Sequence, residues 1–223
     1  MPQPTATTNY ARRPGMLAAR GLACRRGRRL LFRGLDLSLP PGSVTWLRGT
    51  NGSGKTSLMR ILAGLSHAAE GEVTWNGRPL RTAGAGAKAA LVYISHANAL
   101  KEDLTLGEAV AFLAELAGLD QPHQRASQAL ATLGLASRRE AQVRTLSQGQ
   151  RRRGALARLA LDDGARTWLL DEPYDALDSA SVGLLSTLIE AHAARGGAVL
   201  LTSHQAITLA SARELDLEPW RVA

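Results

Sequence analysis

Val44-Thr45-Trp46-Leu47-Arg48-Gly49-Thr50-Asn51-Gly52-Ser53-Gly54-Lys55-Thr56-Ser57 decides how the rest of the chain is read. Its first five residues form a short, largely apolar run of strand type. Gly49, Gly52 and Gly54 follow, and glycine adopts the dihedrals of a tight loop without a Cβ penalty. After Lys55 the apolar residues Leu58, Ile61, Leu62 and Leu65 recur at helical spacing, and Gly64 lies near the helix end. Strand, loop and helix are the context that the pattern G-x-x-x-x-G-K-[ST] requires, here Gly49 to Thr56. In such a loop the backbone N–H groups surround phosphate oxygens at the N-terminus of the following helix. Lys55 is placed to reach the β- and γ-phosphates, and the Thr56 hydroxyl to ligate Mg²⁺. Gly49, Thr50, Asn51, Gly52, Ser53, Gly54, Lys55, Thr56 and Ser57 are the candidate nucleotide-binding residues.

Three further segments gain meaning beside this loop. Trp168-Leu169-Leu170-Asp171-Glu172 is an apolar run ending in two carboxylates. A free carboxylate at the end of a buried strand is costly unless paired or metal-bound. Asp171 is therefore the candidate Mg²⁺ ligand, through water, and Glu172 the candidate general base for an attacking water. Pro173 follows at once and suits a helix start, so a capping role for these acids is the competing reading. Leu146-Ser147-Gln148-Gly149-Gln150 contains a capping box, with Ser147 at the N-cap and Gln150 at N3, opening a helix that carries Leu156, Leu159 and Ala160. A helix N-terminus with a Ser hydroxyl and a nearby Gly is also an anion site. Arg151-Arg152-Arg153 reads as a solvated basic face. Thr202-Ser203-His204 ends another apolar run.

Outward from these segments, Leu91 to Ile94, Thr167 to Leu170 and Ala198 to Thr202 are short apolar runs, as in buried parallel strands covered on both faces. Leu35 to Leu39 alternates apolar and polar, Pro40-Pro41-Gly42 is a turn, and Gly71 to Trp75 begins another strand, which together suggest a small antiparallel lobe. From about residue 97 to 160 the pattern turns helical. Thr105-Leu106-Gly107-Glu108 is a capping box opening a helix to about Leu116; Gly118 and Pro122 interrupt, and a second helix runs from about Gln124 to Leu133. The expected fold is α/β: a mainly parallel core sheet, an antiparallel β lobe and an inserted helical subdomain, over residues 16–223, with a disordered tail over 1–15.

With 223 residues, 45% of them hydrophobic, the chain can bury the core of one domain. No stretch approaches the roughly 18 apolar residues of a membrane span. The first fifteen residues hold no apolar run of signal-peptide type, which points away from secretion. The single Cys24 excludes an internal disulfide and suits a reducing compartment. The net charge of +8 rests on 24 Arg and 3 Lys. These arginines are scattered without interleaved aromatic residues, so a nucleic-acid partner is not expected, while proximity to an anionic lipid surface is compatible with them.

The four segments, in this order, resemble the motifs of ABC transporter ATPase subunits, over about Leu17 to Ser211. The resemblance implies ATP and Mg²⁺ as cofactors and ATP hydrolysis coupled to transport. It implies that Ser147, Gly149 and Gln150 contact the γ-phosphate held by a second subunit. It further implies that His204 is a switch histidine at the γ-phosphate, and that Asp175-Ala176-Leu177-Asp178 is a loop lying across the seam of a homodimer. Two positions depart from the family pattern. His96 stands where a Gln is usual, near Mg²⁺ and the membrane-subunit contact. Arg26 stands where an aromatic residue usually stacks on adenine, and a guanidinium can also stack on a purine.

Both departures resemble the CcmA family, the ATPases of bacterial cytochrome c maturation, as do Lys101, Leu104-Thr105, the stretch from Leu146 to Leu161 and Gln205 after His204. Ser95 and Ala109 differ from that family's pattern, where Gly and Asn are expected. The resemblance implies a role in haem handling, integral membrane partners of CcmB and CcmC type, and a peripheral position on the cytoplasmic face of the bacterial inner membrane. No haem-ligand motif is present, so no haem site is expected in this chain. The ATPase of another small exporter and a soluble ABC protein acting on ribosomes or DNA are the alternatives.

Overall fold

The computed structural model describes residues 15–222 except 162, 163, 165, 206 and 208. The tail expected over 1–15 therefore lies outside the described residues but for Gly15. Five parallel strands form the central sheet in the order β6-β7-β8-β3-β9: β3 Val44–Arg48, β6 Leu91–Ile94, β7 Thr167–Leu170, β8 Ala198–Thr202 and β9 Ala212–Asp216. Every residue of β7 and β8 is buried, the pattern of strands covered on both faces. On one face Trp168 stacks on His192 of α6 (Ser179–Ala194), ring centroids 3.5 Å apart and nearly parallel. The short apolar runs of the sequence thus become the sheet. β9 was not expected: Ala-Arg-Glu-Leu-Asp carries little apolar signal, and the strand forms at the sheet edge beside β3.

The antiparallel lobe is larger than its sequence signal. β1 (Leu17–Arg26) and β2 (Arg29–Leu39) make a long hairpin that continues into β4 (Glu70–Trp75) and β5 (Arg78–Pro79). The pairing of β1 with β2 shifts register between Ala19 and Leu22, again between Leu22 and Cys24, and again between Cys24 and Arg25. Such bulges break the strict alternation that marks a strand in sequence, which explains why only Leu35–Leu39 stood out. The buried faces of this lobe, of α1 (Lys55–Leu62) and of the short α2 (Gly84–Ala89) share one core with Leu47, Leu169 and Leu200 of the parallel sheet.

Between β6 and β7 the chain forms α3 (Leu106–Leu116), α4 (Pro122–Thr132) and α5 (Gln148–Leu156), packed around Leu106, Val110, Leu130, Leu135 and Leu146. Both capping boxes form: Thr105 with Glu108, and Ser147 with Gln150. Pro122 does not break the chain but opens α4, because a first-turn position needs no N–H donor. The single helix expected after Ser147 is instead α5 followed by a 3₁₀ segment, Ala157–Ala160.

Replacing Trp168 by Ala removes a large side chain that is 2% exposed and leaves His192 without its stacking partner. A cost of about 3–5 kcal/mol follows from a cavity of this kind. The thermal midpoint should drop by roughly 10 °C, at about 2–4 °C per kcal/mol for a chain of this size. Differential scanning calorimetry of the Trp168→Ala protein reads this directly.

Candidate active site

Four loops leave the C-terminal ends of β3, β6, β7 and β8, so parallel pairing gathers them along one edge. The loop after β3 runs into α1. Gly54 caps that helix at φ 108, and a Cβ there would meet the Phe32 ring at 3.1 Å. The Lys55 ammonium folds back over the loop and donates to the carbonyls of Gly49 at 2.8 Å and Thr50 at 3.2 Å. Ser53 is buried, while Asn51, Gly52 and Thr56 are exposed. Ser57 faces the buried Cys24 thiol; burial raises that thiol's pKa and the hydrogen bond with Ser57 opposes it.

The same loop is tied down from the far end of the chain. Glu218, in the 3₁₀ segment Glu218–Trp220, accepts from the Thr50 N–H and from the Thr50 hydroxyl, both at 2.7 Å. Arg221 bridges the pair, donating to Thr50 Oγ1 at 2.9 Å and Glu218 Oε2 at 2.8 Å. The Thr50 N–H, then Arg221 and the Thr50 hydroxyl, hold the Glu218 carboxyl down at about 2. Nothing in a half-polar C-terminal stretch announces this strap to a reader of the sequence.

After β7 come the two carboxylates. Asp171 is 2% exposed. Its Oδ1 accepts from the Thr202 hydroxyl at 3.1 Å, and its Oδ2 has no hydrogen-bond partner among the described residues. A buried, half-satisfied carboxylate is the kind of donor a cation takes. Tyr93 on β6 lies beside it; burial first, then the Asp171 charge, pushes the phenol up to about 12. Glu172 is half-buried with φ 49, a left-handed conformation unusual for a side chain of this type. Its N–H donates to Thr202 Oγ1 at 2.8 Å, and its Oε2 accepts from the His204 N–H at 3.0 Å. The His204 ring stands 3.4 Å from Oε1. Burial raises the Glu172 pKa, while His204 opposes the shift. The helix-capping alternative for these acids fails: no helix starts at Pro173, and the next one, α6, is capped by Asp178, whose Oδ1 accepts from the Ser181 N–H at 2.8 Å.

Ser147, Gly149 and Gln150 lie apart from these carboxylates. They line a cleft of about 250 Å³ together with Arg153, Ala176, Leu177, Asp178 and Ser181. Gly149 is required there by contact, since a Cβ would come within 2.7 Å of the Ala176 carbonyl. His96 is exposed beyond β6, and Arg26 is exposed at the hairpin end of β1. Among the described residues no group of three or more His, Cys, Asp or Glu is arranged to hold a metal.

One reading of the sequence is corrected. Arg151-Arg152-Arg153 is not a solvated face: Arg151 donates to the Leu146 carbonyl at 2.9 Å, Arg153 to that of Leu133 at 3.3 Å, and Arg152 is 3% exposed. Its guanidinium reaches the carbonyls of Ser95, Asp171 and Glu172. Arg152 and Thr202 are the site residues to which sequence reasoning assigned no role. Three consecutive arginines at a helix start carry no mark of which one turns inward.

Fold and site together define an ATPase of the ABC transporter class. The family model for "ABC transporter" matches residues 32–175. A solved protein described as an ABC transporter ATP-binding protein from Pyrococcus furiosus superposes with a TM-score of 0.81 at 21% identity, covering 93% of this chain and all of that one; it shows the fold. Curated relatives are closer. The cytochrome c biogenesis ATP-binding export protein CcmA of Aromatoleum aromaticum is 48% identical over 85% of this chain and 89% of its own length. The CcmA proteins of Nitrosomonas europaea and Dechloromonas aromatica are each 44% identical, over 88% and 91% of this chain and 92% and 100% of their own lengths. The chain belongs to the CcmA family of ABC transporter ATPases.

The strap on Thr50 has a pH signature. A carboxyl whose folded pKa is depressed stabilises above its unfolded value, near 4.3, and loses that contribution as pH falls towards the folded value of about 2. Glu218→Gln should therefore be less stable than the parent protein at pH 7, and the gap should close below about pH 4.3. Urea unfolding of both proteins from pH 7 to pH 3 measures the gap.

Proposed function

We propose that this chain is the ATP-hydrolysing subunit of a membrane complex that handles haem for the maturation of c-type cytochromes. The observation that carries the ATPase chemistry is the geometry after β7. One carboxylate is buried with a free oxygen, and the next is partly desolvated and held from two sides by Thr202 and His204. The maturation role rests on cytochrome c biogenesis ATP-binding export proteins that are 44–48% identical over most of the chain.

In this reading the N–H groups from Gly49 to Ser57 cradle the phosphates of ATP, and Lys55 exchanges its carbonyl partners for the β- and γ-phosphates. Thr56 and Asp171 would hold Mg²⁺, with His96 near it, and the bound ion would neutralise charge that develops on the phosphates as ADP leaves. Glu172 accepts the proton of the attacking water, and its raised pKa brings it closer to a useful base. His204 orients the Glu172 carboxylate and faces the γ-phosphate. Arg26 stacks on the adenine.

Ser147, Gly149, Gln150 and Asp178 share a cleft that no residue of the Gly49–Ser57 loop lines. The phosphate for this helix end therefore comes from a second copy, and a two-fold axis completes both sites at once. Among the described residues no helix is long and apolar enough to cross a membrane, so integral subunits of CcmB and CcmC type supply the translocation path. The exposed Phe112 and Leu116 of α3 belong to their docking surface, at the cytoplasmic face of the inner membrane. No haem site and no nucleic-acid site is assigned to this chain.

Lys55→Ala and Glu172→Gln should both abolish steady-state hydrolysis but separate in binding. Loss of Lys55 should weaken ATP affinity at least tenfold, about 1.4 kcal/mol or more. Glu172→Gln should keep wild-type affinity and accumulate an ATP-bound dimer, read by fluorescent-nucleotide titration and sedimentation. A Glu172→Gln protein that turns over at the parental rate removes Glu172 as the base.

Cells lacking the gene should lose covalently bound haem from c-type cytochromes and keep b-type cytochromes, and Lys55→Ala should not restore them. Haem staining of membrane fractions on denaturing gels reads this. Normal c-type bands in the deleted strain would redirect the chain to another exporter while leaving the ATPase chemistry in place.

A further inference from the structure

We infer that Arg152 is a positioning residue for ATP hydrolysis, its buried guanidinium fixing the main chain of Glu172 and joining it to the loop that carries His96. The inference rests on Glu172 as the base. It begins with an imbalance: a guanidinium that is 3% exposed loses its hydration, and its pKa is pulled down by that burial. Such a charge persists only where donors find acceptors. Here the acceptors are almost entirely main-chain carbonyls. Nη2 donates to Glu172 O at 2.7 Å and to Asp171 O at 3.0 Å, while Nη1 donates to Ser95 O at 2.8 Å. Longer contacts at 3.5 Å reach His96 O and Asn98 Oδ1.

These carbonyls belong to the two loops that carry the chemistry, and Arg152 itself belongs to α5, whose N-cap is Ser147. The Glu172 backbone is where this clamp matters. At φ 49 it is strained for a non-glycine residue, and strain of that kind persists only where surrounding bonds over-determine it. Four bonds do so: the Glu172 N–H donates to Thr202 Oγ1, Arg152 Nη2 donates to the carbonyls of Asp171 and Glu172, and the Asp175 N–H donates to the Glu172 carbonyl at 3.3 Å. Peptide planes on both sides of Glu172 are thereby held, and the direction of its side chain follows. The carboxylates of Asp175, Asp171 and Glu172 offset the burial of the charge. A planar guanidinium is suited to bridging two loops, because Nη1 and Nη2 diverge at a fixed angle, whereas an ammonium is a single point with rotating donors.

The test uses the full chain with its membrane subunits and compares Arg152→Met, Arg152→Lys, Glu172→Gln and the double variant. Met matches the length of the stem and removes every donor. Displacing a reacting group by about 1 Å costs on the order of 100-fold in rate, so Arg152→Met should lower kcat by about that factor with KM for ATP within about threefold of the parent. Arg152→Lys should fall between the two. In single-turnover measurements Arg152→Met should add less than about threefold to the loss in Glu172→Gln, because both changes act through one carboxylate. A parental kcat in Arg152→Met, a loss confined to KM, or losses that multiply in the double variant would each overturn the inference. If Arg152→Met does not fold, Arg152→Lys carries the same comparison. A parental rate in Glu172→Gln alone removes the base assignment, a result distinct from a parental rate in Arg152→Met, which leaves that assignment standing.

Discussion

Parallel pairing is the constraint on which the site depends. Strands that run the same way must all release their loops at the same edge, and here β3, β6, β7 and β8 release the glycine-rich loop, His96, the two carboxylates and His204. Residues from Gly49 to His204 meet without any long-range side-chain pairing having to bring them there. The register matters as much as the direction. Leu170 pairs with Leu201 and Leu47 with Thr202, so the strand ends are level and the groups following them share one depth.

What lies beneath that edge is polar and almost dry. Asp171, Thr202 and Arg152 are all buried, and each is satisfied largely through its neighbours: Thr202 serves both Asp171 and the Glu172 main chain, and Arg152 serves the carbonyls of both. A network with shared members resists piecemeal change, since removing one group leaves buried partners unmet. Within this network Asp171 Oδ2 and Arg152 Nε have no hydrogen-bond partner among the described residues, and the open carboxylate oxygen suits a cation ligand. A second close contact, Gly149 against the Ala176 carbonyl, fits α5 to the loop that precedes α6.

The parts legible in sequence were those with a short-range physical signature. β6, β7 and β8 begin and end where the apolar runs do, and both capping boxes form as the Ser/Thr-x-x-Glu/Gln pattern requires. The order of the motifs gave the class of protein. β1 and β9 were hidden for opposite reasons: one is long but bulged, the other half polar and stabilised by its neighbour β3. Arg152 was hidden because its partners are chiefly main-chain carbonyls far along the chain, which have no residue identity to read, and Glu218 because Thr50 lies 168 residues away. Pro173 misled, since it sits in a turn whose shape is set by Glu172 in a left-handed conformation and not by a helix start.

The arrangement of β3 also bears on how the chain comes to be folded at all. Its partners are β8 and β9, and Thr50 and Glu218 lie 168 residues apart. At roughly 5–20 residues per second a ribosome needs on the order of 10–30 s to make that interval. Throughout this time the nucleotide loop exists without either strand that flanks it or the acid that ties it. Helices and the β1–β2 hairpin can form from local contacts meanwhile, whereas the pairing of β3 waits for β8 and β9. The nascent chain therefore carries Val44 and Leu47, both buried in the finished sheet, on a strand that stays unpaired until β8 and β9 have been made.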